Sequence, residues 1–232
     1  MRIAGIQRTT LIDFPRQIAC TVFTAGCNLR CPWCHNGSIL GALPENELIS
    51  EERFFQFLDS RLKTHSGVVI SGGEPTLQPD LIPFVIKIRA RGLAVKLDTN
   101  GTRPDVLEEL FAKSLIDYVA MDVKAAPQDY GAAAGRAVPA QILERSIELI
   151  RAGAPQYEFR VTLVPGIHTP QRTASLGAFL QSGPLYVQNF RPAPDTPSEQ
   201  FKHARSFSPA ELEQLADILR GNMTGTICVR SY

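Results

Sequence analysis

Residues 94–111 read Ala94-Val95-Lys96-Leu97-Asp98-Thr99-Asn100-Gly101-Thr102-Arg103-Pro104-Asp105-Val106-Leu107-Glu108-Glu109-Leu110-Phe111, and they hold one complete repeat of the chain's architecture. Ala94–Asp98 is a short apolar run with strand character that breaks into the polar, glycine-containing Asp98-Thr99-Asn100-Gly101. Pro104 suits a first helical position, and Val106, Leu107, Leu110 and Phe111 follow at helical spacing. The same unit recurs in both directions. Strand-like stretches fall at Gln17–Thr24, Gly67–Ser71, Tyr118–Val123, Tyr157–Val164 and Leu185–Phe190, with a short last one at Thr226–Arg230. Helical spacing follows Ser50, a good N-cap, as far as Lys63, and recurs over Asp80–Arg91, where Gly92 is a natural stop. Further helices are expected over Pro139–Arg151, Gln171–Leu180 and Pro209–Arg220.

Alternating strands and helices imply a parallel sheet covered by helices. Six units over 232 residues suit an α/β fold of parallel strands, an incomplete (β/α)6 barrel, better than a full eight-fold one. A doubly wound open sheet is the competing topology, and periodicity does not separate the two. No linker, repeat or low-complexity tract divides the chain, so residues 1–232 are expected to form one domain. Residues 35–49 and 125–138 are expected as long loops.

Twenty-four basic against 23 acidic residues leave a formal charge of +1. That balance argues against nucleic acid or an anionic membrane as a partner. No run approaches the roughly 18 apolar residues of a membrane span, and residues 1–8 lack the apolar core of a secretory signal. The five cysteines are an odd number, and three of them are clustered, which suits metal chemistry in a reducing compartment. The expected location is the cytoplasm. Cys20 and Cys228 read as small buried hydrophobes, and His65, His168 and His203 as surface or loop residues.

In parallel barrels and open sheets, ligands gather at the carboxyl ends of strands. Here those ends carry Cys27–Cys34, Gly72-Gly73-Glu74, Asp98-Thr99-Asn100-Gly101, Asp122-Val123-Lys124, Val164-Pro165-Gly166 and Asn189-Phe190-Arg191. Polar, glycine-rich strand ends are common, but the cysteines need a chemical reason. The run Cys27-Asn28-Leu29-Arg30-Cys31-Pro32-Trp33-Cys34-His35 has the spacing C-x3-C-x2-C. Three thiolates can grip one soft metal centre. Zinc on three Cys and His35 is one reading, weakened because His35 directly follows Cys34 and must turn back onto the same ion. An iron–sulfur cubane usually takes four cysteines, so three leave an open coordination position, as a catalytic metal needs.

C-x3-C-x2-C with an aromatic before the last Cys resembles the cluster motif of the radical S-adenosylmethionine (radical SAM) superfamily. Gly72-Gly73-Glu74-Pro75 is similar to that family's GGEP element. Leu97–Gly101, Met121–Lys124 and Arg160–Gly166 resemble the LDTNG, D-x-K and R-x4-PG elements of glycyl-radical-enzyme activases. Thr10–Pro15 and Cys34-His35-Asn36 point the same way. Within that group the chain is most similar to activating proteins of anaerobic ribonucleoside-triphosphate reductase, and next to those of pyruvate formate-lyase.

The resemblance implies a single radical SAM-type domain with a [4Fe–4S] cluster on Cys27, Cys31 and Cys34. The open iron would bind S-adenosylmethionine (SAM), and electron transfer into the sulfonium would yield methionine and a 5′-deoxyadenosyl radical. Further cofactor-binding residues are implied at Trp33, His35 (through its backbone), Gly72, Gly73, Glu74, Asp98, Thr99, Asp122, Lys124 and Arg160. Gly73 would meet the SAM amino group, and Trp33 the adenine. A monovalent cation is implied beside Asp98 and Asp122, against the alternative of a salt-bridge network at the barrel mouth. Asp13 would meet the substrate loop, while Phe190 and Arg191 stand where related activases place a cofactor-contacting His that is missing here.

The implied partners are a glycyl radical enzyme, specifically anaerobic ribonucleotide reductase, and reduced flavodoxin or ferredoxin as electron donor. The two cysteines outside the motif cannot build a second cubane. The alternatives are an activase of pyruvate formate-lyase or another glycyl radical enzyme, or a radical SAM enzyme acting on a small molecule such as a 7-deazaguanine precursor. A zinc-stabilised binding module is the non-enzymatic one.

Overall fold

In the computed structural model, which describes residues 1–230, eight strands form one sheet in chain order. They are β1 (Ile3–Thr10), β2 (Ala19–Thr24), β3 (Gly67–Gly72), β4 (Ala94–Thr99), β5 (Tyr118–Asp122), β6 (Tyr157–Leu163), β7 (Leu185–Asn189) and β8 (Ile227–Arg230). Neighbours from β2 to β8 run parallel, while β1 runs antiparallel to β2. The helices are α1 (Glu51–Asp59), α2 (Leu81–Arg89), α3 (Pro104–Ala112), α4 (Tyr130–Ala134), α5 (Ala140–Gly153), α6 (Pro170–Leu180), α7 (Glu199–Lys202) and α8 (Pro209–Asn222). A doubly wound sheet must reverse its strand order at a switch point. This order never reverses, and among the described residues β1 and β8 do not pair, so the sheet is a barrel left open on one side. None of the described helices is long and apolar enough to cross a membrane.

Strand alternation sorts the side chains. Val95 and Leu97, Val119 and Met121, Phe159, Val161 and Leu163, and Leu185 and Val187 join the large core under the helices. Their alternates include Asp98, Asp122, Arg160, Thr162 and Gln188, which line the barrel's interior pocket. A small second cluster of Phe14, Ala19, Val69 and Tyr118 packs apart from the main core. Two helix signals work as read: Ser50 accepts from the Arg53 N–H, and Pro104 opens α3. At the start of α8 the structure adds a reciprocal capping box between Ser208 and Glu211.

Several expectations need correction. The edge strand β1 was not anticipated: its middle, Gln7-Arg8-Thr9, is polar and exposed, and register shifts interrupt its pairing. Residues 35–49 carry two short 3-10 turns, and residues 125–138 carry a 3-10 turn followed by α4, rather than plain loops. Alanine supplied helix propensity in that second stretch, where the apolar pattern alone suggested a loop. His65 and His168 are buried, and Cys228 is half-buried, whereas Cys20 lies in the core as read.

Phe84 of α2 is fully buried, with the rings of Phe54 and Phe55 from α1 at 5.2 and 5.3 Å. Phe84→Ala removes the shared partner of both rings. It is expected to cost about 3–5 kcal/mol in urea unfolding, while Leu62→Ala, at a side chain 41% exposed, costs far less.

Candidate active site

The loop after β2 bends at Gly26, whose φ is +90°, and brings Cys27, Cys31 and Cys34 to one pocket of about 410 Å3. α4 holds this loop from beneath. The Arg30 N–H donates to Ala134 O (2.9 Å), and the Trp33 indole donates to Ala133 O (2.8 Å). A side chain at Gly135 would place its Cβ 2.0 Å from Arg30 O, so the helix cap and the loop touch backbone to backbone. The Cys27 sulfur accepts from the Leu29 N–H (3.4 Å) and the Asn100 amide (3.8 Å). Burial pushes the Cys31 thiol up to about 11 and raises Cys27 and Cys34, against the nearby positive charge of Lys124. The thiols are therefore protonated near neutral pH, and a metal must displace those protons.

The Gly72-Gly73 turn lies against the chain that leads into the cysteine loop. Gly73 N–H donates to Thr24 O (2.8 Å), and Glu74 N–H donates to Gly26 O (2.9 Å). A Cβ on Gly73 would stand 2.0 Å from Gly26 O, and one on Gly72 would stand 2.4 Å from Thr24 N. The Asn36 amide reaches Gly72 O from the other side (3.1 Å). An ammonium only donates, so what Gly73 can offer one is its carbonyl.

Further round the barrel, the carboxyl ends of β4, β5 and β6 carry a compact set of charges. Arg160 grips Asp122 with two bonds (2.9 and 3.2 Å) and Asp98 with a third (3.2 Å). Ala120 lies on β5, between the strands of Asp98 and Arg160, and is paired in the register with Asp98. Lys96 Nζ bonds Asp98 at 2.6 Å, and Lys124 Nζ stands 3.3 Å from Asp122. Burial is the largest influence on both carboxylates and works against ionisation. Arg160, helped by Lys96 at Asp98 and by Lys124 at Asp122, outweighs it and holds both below the usual range. Burial likewise opposes the charge of Lys124, and Asp122 more than offsets it.

All of the expected cofactor residues line this one pocket: Cys27, Cys31, Trp33, Cys34, His35, Gly72, Gly73, Glu74, Asp98, Thr99, Asp122, Lys124 and Arg160. Their chemistry divides them. Trp33 is an anchor, its ring buried and its N–H tied to α4. Glu74 and Thr99 are braces. Glu74 is 1% exposed and accepts from Thr76 N–H and hydroxyl, the Thr99 hydroxyl and Asn100 N–H, so its oxygens are committed within the protein. The His35 ring bonds Arg191 O (2.7 Å). The cation expected beside Asp98 and Asp122 finds a different arrangement: two carboxylates already matched by three basic side chains. Among the described residues no three His, Cys, Asp or Glu groups gather closely enough to hold a single ion. Phe190 is fully buried and Arg191 exposed; the pocket residue of β7 is Gln188.

Sequence reasoning passed over Asn28, Asn100 and His168. Asn100 links the end of β4 to the cysteine loop through Cys27 and Asn28 (3.0 Å) and was readable only as part of its motif. The His168 Nδ1 accepts from Val164 N–H, so Nε2 carries the proton and donates to Lys124 O, both at 2.9 Å. The Tyr130 hydroxyl accepts from Lys124 N–H (3.3 Å), so Lys124 is held at both backbone groups. Asp13, expected near the substrate, does line the pocket.

The donor set suits an iron–sulfur cluster. Three thiols face one pocket, N–H groups already point at a sulfur, and the adjoining glycines let the Gly72-Gly73 turn pack directly on the backbone of the cysteine loop.

A radical SAM superfamily model matches residues 21–171. A protein of Methanocaldococcus jannaschii named "putative glycyl-radical enzyme activating enzyme" is 33% identical over 225 residues, covering 94% of this chain and 91% of its own. The pyruvate formate-lyase-activating enzyme of Clostridium pasteurianum is 33% identical over 135 residues, 55% of this chain and 54% of its own. Among solved structures, a domain of a Bacteroides vulgatus pyruvate-formate lyase-activating enzyme superposes with a TM-score of 0.53 at 20% identity, over 72% of this chain and 99% of that one. Streptococcus suis SuiB bound to its precursor peptide SuiA reaches 0.66 at 14% identity, over 91% and 48%. These last two likenesses concern the fold alone.

Two outcomes are expected. Gly73→Ala pushes on the backbone just before Cys27, and should cost about 1–3 kcal/mol and lower iron uptake on anaerobic reconstitution. Burial depresses the basicity of His168 below its ordinary 6.5. The unfolded chain therefore takes up a proton first as pH falls, and stability is lost below about pH 6.5. Urea unfolding at about pH 5.5 and about pH 7.5 should show that loss, and His168→Gln should flatten it.

Proposed function

The chain belongs to the radical SAM superfamily, and we propose that it is an activase that places a glycyl radical on anaerobic ribonucleotide reductase. One observation carries the reading of a protein rather than a small molecule as target. The thiol pocket extends to Asp13, on the segment between β1 and β2, and to Gln188 on β7, near the two sides of the gap in the barrel. An extended glycine-bearing segment of a partner can be laid into a site open in this way. The end-to-end likeness to the Methanocaldococcus protein supports the same reading.

Members of this superfamily use a [4Fe–4S] cluster and SAM, and Cys27, Cys31 and Cys34 are the residues to hold the cluster. Bound there and reduced, a cluster would supply the electron for splitting SAM into methionine and a 5′-deoxyadenosyl radical, the species that would take a Cα hydrogen from the partner's glycine. The protein's own part is placement. The Gly73 carbonyl can accept from the SAM ammonium. Lys124, charged and held by His168 and Tyr130, and Arg160, anchored on two aspartates, can face its carboxylate. Trp33 and α4 keep the cysteine loop closed beneath the pocket, which limits water around a radical.

The test is anaerobic reconstitution, reduction and addition of SAM with anaerobic ribonucleotide reductase present. A cysteine-dependent 5′-deoxyadenosine product and a glycyl radical signal on the reductase are expected. Changing any one of Cys27, Cys31 and Cys34 to Ala should abolish both. Turnover of a 7-deazaguanine precursor with no radical on protein would overturn the activase reading and leave the superfamily chemistry standing. A radical formed on pyruvate formate-lyase and not on the reductase would overturn only the choice of partner.

A further inference from the structure

Two arginines cover the outer face of the cysteine loop. Arg30 Nη1 donates to Cys27 O (2.5 Å) and Leu29 O (2.8 Å), and Arg136 Nη1 donates to Asn28 O (3.2 Å). Three successive carbonyls, starting at a cluster-binding cysteine, are thus capped by guanidinium groups. Both side chains are exposed, and among the described residues their hydrogen bonds go to these carbonyls rather than to a carboxylate. Cys27 also lines a second cleft of about 320 Å3, shared with Arg2, Arg30, Leu40, Gly41 and Gln78. Arg2 is paired with Glu45 (2.5 Å), so of the three arginines here Arg30 and Arg136 are the two whose charge no carboxylate among the described residues offsets in an ion pair.

Cys27 therefore borders both the ligand pocket and an outer cleft with a basic rim. The chemistry needs an electron from outside. Cys20 lies in the core and Cys228 on β8, so the described residues hold no second cysteine cluster to relay it. A donor arriving through the pocket would displace the substrates; one arriving at the outer cleft would not. We propose that this face, around Arg30 and Arg136, docks an acidic one-electron carrier protein that reduces the cluster past Cys27. In that step the carrier loses one electron and the oxidised cluster gains it, with no bond made or broken. The positive rim steers an acidic carrier and raises its on-rate at low salt. This goes beyond the activase reading: it needs the cluster that membership of the superfamily implies, and it holds whichever molecule is the target.

The test uses the reconstituted holoenzyme and, as probe, flavodoxin reduced to its hydroquinone, an acidic flavoprotein. Two readouts are followed: oxidation of the flavin on mixing, from its absorbance, and flavodoxin affinity by titration. A third assay drives SAM cleavage with dithionite, a small reductant that needs no docking face. Flavin oxidation by the unmodified protein should slow about tenfold between low salt and about 0.3 M salt. Arg136→Glu should slow it and weaken flavodoxin binding by about tenfold or more at low salt. Arg136→Lys should keep most of the rate, and dithionite-driven cleavage should be unchanged in both variants. Flavin oxidation insensitive to salt and to Arg136→Glu would overturn the proposal, because the carrier would then dock elsewhere. Equal loss of the dithionite-driven reaction would also overturn it, since Arg136 would then act on the cluster and not on docking. In both cases an active unmodified protein with dithionite leaves the superfamily chemistry intact.

Discussion

The carboxylate of Glu74 is buried at the end of β3 and takes four donors, from Thr76, Thr99 and Asn100. Burial favours its neutral form, and those donors oppose that. Stripping one of them would leave a buried polar group short of a partner, at a cost of about 1–3 kcal/mol. The result is a rigid joint between two strand ends. From that joint Asn100 reaches Cys27 and Asn28, and the Gly72-Gly73 turn lies on the backbone at Thr24 and Gly26. The position of the cysteine loop is therefore inherited from a carboxylate that offers nothing further to a ligand.

The barrel interior carries a second constraint. A closed parallel barrel fills its centre with apolar layers, whereas this open one places Lys96, Asp98, Asp122 and Arg160 there. Buried charges of this kind are tolerated only when matched in good geometry. Arg160 supplies the match by bridging two strands, and Lys96 and Lys124 complete it. Three basic groups thus hold the two aspartates, and of these Lys124 and Arg160 also line the pocket.

The cysteine loop faces two ways. Its inner side borders the pocket with glycine backbone and fixed charge; its outer side carries arginine on peptide carbonyls next to a cleft. α4 lies below the loop and is bonded to it through Arg30 and Trp33. A motif of eight residues thereby separates the inner pocket from the outer cleft.

Much of this was legible in the sequence. The repeat of strand and helix followed from local periodicity, and the cysteine spacing needs no fold to be noticed, since three soft ligands within eight residues are close whatever surrounds them. The strand-end rule then gathered the other pocket residues onto one face. What it could not do was divide roles among them. Glu74 and Thr99 are polar strand-end residues like Asp98, and only their hydrogen-bond partners, 25 and 26 residues apart in the chain, turn them into braces. Likewise His168 lies 44 residues from the Lys124 carbonyl that it holds, and Arg136 lies 108 residues from Asn28. The sequence by itself determined the parallel strands, the main helices between them, their order and the clustering of the cysteines, because those rest on contacts and spacings within a few residues. The tertiary structure alone decided between the barrel and a doubly wound sheet, the pairing of the aspartates and the placing of Arg30 and Arg136 on the outer side of the loop, because each depends on groups that meet only when distant segments come together.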